Sequence, residues 1–189
     1  MLCLTGLILP VASLAADPCL IGTWQAASET AHPAGGAVPH APEDSLSLTG
    51  NFTLTLTERL SDPANSAAAF QATWTYEDYT LLKSQQRGPA KAHQRITFNG
   101  ETTGSWLFPG GENRITLTPE NRIRSVGEMK LEIPGVEGMD NWRNMGEQPV
   151  DAPHRSQFDY VCRGDELVLK KEGATYSLGY DYVGHFRRR

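Results

Sequence analysis

From Leu46 to Thr57 the apolar residues Leu46, Leu48, Phe52, Leu54 and Leu56 hold the even positions, and hydroxyl residues hold most of the odd ones. A period of two marks a strand with one face in a core and the other in water. Pairing across Gly50-Asn51 as a two-residue hairpin would set Leu48 opposite Thr53 and spoil that division. The parity therefore predicts one long strand bent at Gly50, about 35 to 40 Å long at the usual rise. A three-residue hairpin centred near Gly50 would also keep the parity.

The alternation returns in Phe70-x-Ala72-x-Trp74-x-Tyr76. Ile96-x-Phe98 runs into Asn99-Gly100, a strong hairpin signal, with Ser105 to Phe108 as the returning strand. Arg114 to Thr118, Met129 to Ile133, Phe158 to Cys162, Leu167 to Leu169 and Tyr176 to Tyr180 bring the total to about ten strand-like segments, and no long segment carries a helical period. The pattern predicts an all-β antiparallel barrel or sandwich.

Two stretches break the rhythm. Residues 29–43 (ETAHPAGGAVPHAPE) are rich in Pro, Gly and Ala, and residues 134–155 (PGVEGMDNWRNMGEQPVDAPHR) are turn-forming yet carry Met139, Trp142 and Met145. Long loops in compact domains are commonly functional, and the second has apolar anchors that predict folding back onto the body. Lys83 to Arg95, with Arg87, Lys91 and His93 between, reads as a solvated loop joining two strands, and Arg187 to Arg189 as a solvated tail.

Residues 2–14 (LCLTGLILPVASL) are apolar and are followed by Ala15-Ala16 and then Asp17-Pro18. This is the pattern of a signal peptide, residues 1–16, cleaved after Ala16, and too short to span a membrane as a mature helix. It predicts a single mature domain over residues 17–189, periplasmic or secreted, with no transmembrane segment. Cys19 stands too far beyond Ala16 for a lipid-modified cysteine. With Cys3 in the leader, Cys19 and Cys162 remain as a pair in an oxidising compartment, which predicts a disulfide; two buried free thiols are the alternative.

The 17 Lys and Arg against 22 Asp and Glu give a net charge of −5, and the basic residues are mostly dispersed, which argues against a nucleic-acid partner. Chemistry-bearing motifs are scarce. There is no Gly-x-Ser-x-Gly elbow, His-Glu-x-x-His helix, Cys-x-x-Cys pair or phosphate-binding glycine loop, so no catalytic residue and no cofactor are assigned. His32 and His40, with Glu29, Glu43 and Asp44 nearby, match no compact ligand spacing, so no metal is assigned.

The start Cys19-Leu20-Ile21-Gly22-Thr23-Trp24 resembles the Gly-x-Trp signature on the first strand of lipocalin-like (calycin) barrels. The segment Tyr160-Val161-Cys162-Arg163-Gly164-Asp165-Glu166-Leu167-Val168-Leu169 resembles the Tyr-x-Cys-x-Gly-Asp-x-Leu-x-Leu close of exported bacterial lipocalin-like proteins that begin Cys-x-x-Gly-x-Trp. The resemblance implies a closed or nearly closed antiparallel barrel of about eight to ten strands. In it Gly22 lets the backbone approach closely at the closed end, Trp24 plugs the bottom, and the Cys19–Cys162 bridge fastens the first strand to one near the end.

Three functions follow as expectations, the last a hydrolase or isomerase with a site at the barrel mouth. In the first, the barrel holds a small apolar or amphipathic ligand against Trp74, Tyr76, Phe98, Trp106, Met139 and Trp142, with residues 29–43 or 134–155 as a lid. In the second, a filled barrel serves as a structural or interaction protein of the cell envelope, with a protein or glycan partner on the Lys83 to Arg95 face.

Overall fold

The structure, a computed structural model, describes residues 17–33, 44–58, 70–108, 113–175 and 180–189. The proposed leader lies outside the described residues, as do residues 34–43 of the first interrupting stretch. Ten strands follow in chain order: β1 (Gly22–Pro33), β2 (Ser45–Thr57), β3 (Phe70–Arg87), β4 (Ala90–Leu107), β5 (Arg114–Pro119), β6 (Ile123–Glu132), β7 (Arg143–Val150), β8 (Ser156–Arg163), β9 (Glu166–Thr175) and β10 (Tyr180–Arg188). All pairings are antiparallel. The order β3-β2-β1-β10-β9-β8-β5-β4 closes on itself through a β3–β4 pairing, giving an eight-stranded barrel, and β6 and β7 extend the sheet beyond β4.

This arrangement arises because β4 has two partners in succession. Its second half, Gly104 to Leu107, pairs with β5 inside the barrel, while its first half, Lys91 to Asn99, pairs with β6. Gly104 makes the changeover possible, since a Cβ there would collide with the Thr118 carbonyl. β6 and β7 thus leave the barrel wall as a flap whose outer strand, β7, has β6 as its one partner in the sheet.

The even-position alternation of β2 becomes the barrel interior: Phe52, Leu54 and Leu56 are buried and Thr53, Thr55 and Thr57 face outward. β2 is continuous through Gly50, whose φ of 97° supplies the bend. Trp24, Trp74, Trp106, Tyr76, Tyr79, Tyr180, Tyr182, Phe52, Phe158 and Phe186 are all fully buried, so the interior is packed largely with rings. Each such side chain contributes roughly 1.5 to 3 kcal/mol by leaving water.

At the start of β1 Trp24 donates its indole N–H to the Leu20 carbonyl at 2.8 Å. The Arg188 guanidinium lies 4.3 Å above the same ring and donates to the carbonyls of Ile21 and Cys19. Gly22 makes room, because a Cβ there would collide with the guanidinium. Arg188 is thus a keystone of the barrel floor, not part of a solvated tail. Cys19 and Cys162 are bonded with Cα atoms 6.0 Å apart. Because β10 and β9 separate β1 from β8 in the sheet, the bridge ties the turn before β1 across the floor instead of joining adjacent strands.

Four expectations need correction. Asn99-Gly100 is not a hairpin, because β4 runs straight through it and the β3–β4 turn is at Gly88-Pro89. Lys83 to Arg95 is consequently mostly strand, not a solvated loop. Residues 134–155 are not one loop, since β7 occupies Arg143–Val150 and reads as loop only because Gly146, Pro149 and its polar residues suit an exposed edge. Likewise residues 29–33 belong to β1. Among the described residues no helix is long and apolar enough to cross a membrane, which says nothing of strands.

Candidate functional site

Two β-bulges aim side chains where a regular strand would not. In β1 the register slips between Ala26 and Ser28, so the inward parity that begins at Trp24 passes to Glu29 and Ala31. In β3 it slips between Tyr76 and Tyr79, with Asp78 at a φ of 48°. Both tyrosines therefore point inward although they are three residues apart.

Each bulge has its own accommodation. Gly50 of β2 faces the second, where a Cβ would collide with the Asp78 carbonyl. Asn99 clamps it from β4 by accepting from the Asp78 N–H at 2.7 Å and donating to the Asp78 carboxylate at 3.1 Å. Gly184 lies opposite Glu29, and a Cβ there would strike the Tyr182 hydroxyl.

The result is a polar cluster inside an aromatic interior. Glu29 Oε1 accepts from the Tyr182 hydroxyl at 2.6 Å, from the Tyr79 hydroxyl at 3.2 Å and from His154 Nε2 at 2.8 Å. His154 Nδ1 lies 3.2 Å from the Tyr76 hydroxyl. A carboxylate accepts, so Nε2 donates to it, and Nδ1 is left facing the Tyr76 hydroxyl. The side chains of His154 and Glu29 are 1% and 6% exposed. A buried carboxylate is tolerated only when donors replace its water, and three do so here. His154 reaches the cluster from the turn between β7 and β8, where Ala152 and Pro153 are also buried.

A second polar network lies on the outer face of β3, β4 and β6. Ser84 Oγ is 2.8 Å from His93 Nδ1, and His93 Nε2 is 3.3 Å from Glu132 Oε1 without the alignment of a hydrogen bond. Lys130 contacts Glu132 at 2.6 Å, and its hydrogen bond first, then the nearby His93 imidazole, holds the Glu132 carboxyl below its ordinary pKa. Arg95 donates to Glu128 at 2.6 Å and places its guanidinium 4.4 Å from the Trp142 ring centre. Serine, histidine and carboxylate could form a nucleophilic relay, but Ser84 is only 7% exposed in mid-strand. The network's evident role is to seat Trp142, and with it the β6–β7 connection.

The six candidate ligand-binding residues therefore divide. Trp74, Tyr76, Phe98 and Trp106 are in the barrel core, none more than 4% exposed. Trp142 is half-buried under Arg95 on the flap, and Met139 is half-buried in the β6–β7 connection, where its carbonyl accepts from the Leu131 N–H. The structure does not bring the two groups together. Of the possible metal ligands, His32 is exposed, His40 and Glu43 lie outside the described residues, and no group of three ligand-type side chains occurs among the described residues.

Sequence reasoning missed Glu29 and His154. The one available signal was in β1, where the even-position alternation from Trp24 and Ala26 fails at Ser28 and an apolar residue returns at the odd Ala31. Comparison with protein-family models, with curated proteins and with solved structures gives no match for this chain.

Proposed function

We propose that this is an exported interaction protein of the cell envelope, lipocalin-like in its barrel, that presents the β6–β7 flap to a partner protein. One observation carries the reading. Of the six exposed large apolar residues among the described residues, Leu107, Val126, Met129, Val136, Met145 and Val161, four lie on the flap or its connection. They accompany an edge strand whose residues from Arg143 to Pro149 are all exposed. Apolar side chains concentrated beside an unpaired strand edge are what a partner's strand would cover, the main chain giving affinity and the side chains specificity.

Export is supported by the bonded cysteines and the apolar stretch at residues 2–14. An apolar ligand inside the barrel has less support, because the aromatic residues expected to line its cup are packed in the core. The Lys83 to Arg95 segment contributes the wall from which the flap springs, with Arg95 paired to Glu128 and His93 lying 3.3 Å from Glu132.

The test is site-specific photocrosslinking in the protein's own host. A crosslinker at Met145 or Val126 should capture a discrete protein, whereas one at Leu107, equally exposed at the end of β4, should not. Met145→Asp should abolish the adduct formed from Val126 while leaving thermal stability unchanged, as is usual for a surface substitution. Equal labelling from Leu107, or none from the flap, would overturn the proposal.

A further inference from the structure

The imidazole of His154 is held as a separate ligand would be held. Phe52 stacks on it face to face, with ring centres 3.8 Å apart and planes inclined by 2°. Tyr76 lies 5.9 Å away on a nearly parallel plane, Tyr79 is tilted at 5.6 Å and Tyr182 stands edge-on at 5.7 Å. One nitrogen meets a carboxylate and the other a phenol. Aromatic faces around a fixed carboxylate are the chemistry that recognises a nitrogen cation, through cation–π attraction and a charge-assisted hydrogen bond.

The occupant arrives on a turn, Asp151 to Arg155, that belongs to no strand. That turn sits where the wall is interrupted. β7 is the last strand of the flap, β8 begins only at Ser156, and β9 beyond Lys170 pairs with β10 but not with β8. The turn's own backbone closure is one hydrogen bond, from the Arg155 N–H to the Ala152 carbonyl. The cage itself rests on strands: Tyr79 on β3 and Tyr182 on β10 both donate to Glu29 on β1. A ring held by a turn therefore fills a site built on the rigid barrel.

We propose that the Asp151 to Arg155 turn is a removable plug, and that the cage beneath it binds a small planar nitrogen cation such as an imidazolium group. Glu29 takes the ligand's N–H in place of His154 Nε2, Tyr76 takes or gives the second hydrogen bond, and Phe52 stacks on the ring. The tyrosines on Glu29 keep the carboxylate aimed while the plug is away, so the site is ready when it opens. This site is independent of the flap's partner.

Imidazole is the probe. In the wild-type protein, amide hydrogen exchange at residues 151–155 should accelerate saturably as imidazole is added, while exchange in β1 and β2 stays unchanged. In His154→Gly, calorimetry should show saturable binding about tenfold or more tighter than to wild type, because no plug has to leave before the ligand enters. His154→Gly combined with Glu29→Gln should lose most of that affinity. Exchange in the turn that ignores imidazole in the wild type overturns the plug, and requires no variant to fold. A folded His154→Gly that binds no imidazole, or binds it equally well without the Glu29 carboxylate, overturns the cage.

Discussion

Replacing Glu29 tests whether the β1 bulge really delivers a carboxylate to the barrel interior. If β1 ran regularly, Glu29 would be a solvated side chain, and its replacement would change stability by no more than about 0.5 kcal/mol. In the structure its Oε1 takes two tyrosine protons and an imidazole N–H in a site almost closed to water. Hydrogen bonds to a charged group are worth roughly 1.5 to 3 kcal/mol each, and an orphaned buried donor costs roughly 1 to 3 kcal/mol. Glu29→Met keeps the length and removes the acceptor that the three donors share. Because the three share one oxygen and relax together, the loss should fall below their sum, at roughly 3 to 6 kcal/mol.

Glu29→Gln keeps an acceptor but removes the charge, so it should cost about 2 to 4 kcal/mol, charge-assisted bonds being about twice as strong as neutral ones. Urea unfolding followed by tryptophan fluorescence gives both values from the midpoint, provided the slope is unchanged. Tyr182→Phe removes one donor and no charge and should cost about 1 kcal/mol, and its combination with Glu29→Gln should be non-additive by at least about 0.5 kcal/mol. A loss below about 1 kcal/mol for Glu29→Met, or strict additivity in the cycle, would refute the geometry.

Two further outcomes follow from the closed end. Removing the bridge in Cys19→Ser/Cys162→Ser frees a loop with a sequence separation of 143 residues, and should cost roughly 5 kcal/mol by chain entropy. Comparing that variant with the oxidised wild type in denaturant measures it, and a loss below about 2 kcal/mol would mean that Arg188 and Trp24 hold the floor unaided. Tyr160, buried and donating to Asp17 at 3.0 Å, has its hydroxyl pushed up from the ordinary 10.0 to about 12, by burial first and the hydrogen bond second. A pKa raised on folding gives stability that is complete below the unfolded value and is lost as pH climbs from 10.0 to about 12. The wild type should therefore lose stability relative to Tyr160→Phe across that window, and parallel curves would dismiss the shift.

What could be read from the chain without its coordinates was governed by where the period of two survived. β2 was legible as one bent strand because both its faces kept their character and Gly50 announced the bend. The Cys19–Cys162 bridge was legible because those two cysteines remain as a pair once the proposed leader is set aside. β4 was not legible. Asn99-Gly100 carries the composition of a hairpin turn, yet here the Asn side chain clamps a bulge on the neighbouring strand and the chain continues straight on. Either role calls for an amide beside a glycine, and only the partner strand distinguishes them. The flap escaped notice because strands outside the barrel need no buried face, so their polarity and glycines read as loop.

Glu29 was hidden for a stronger reason. A bulge reverses the parity of everything after it, so the residue it turns inward is one that the pattern assigns to solvent. The same reversal makes the position informative once the structure is known. Burying a carboxylate here requires a slipped register in β1, a glycine opposite it in β10, a second bulge in β3 to bring Tyr79 to it, and a glycine and an asparagine to support that bulge. An apolar side chain at the next inward position of an unbulged β1 would fill the same barrel with none of these. A fold that needs only a packed interior has no use for such a set of mutually dependent features, and for that reason the Glu29 cluster, not the larger aromatic core around it, is where a binding role inside the barrel is to be sought.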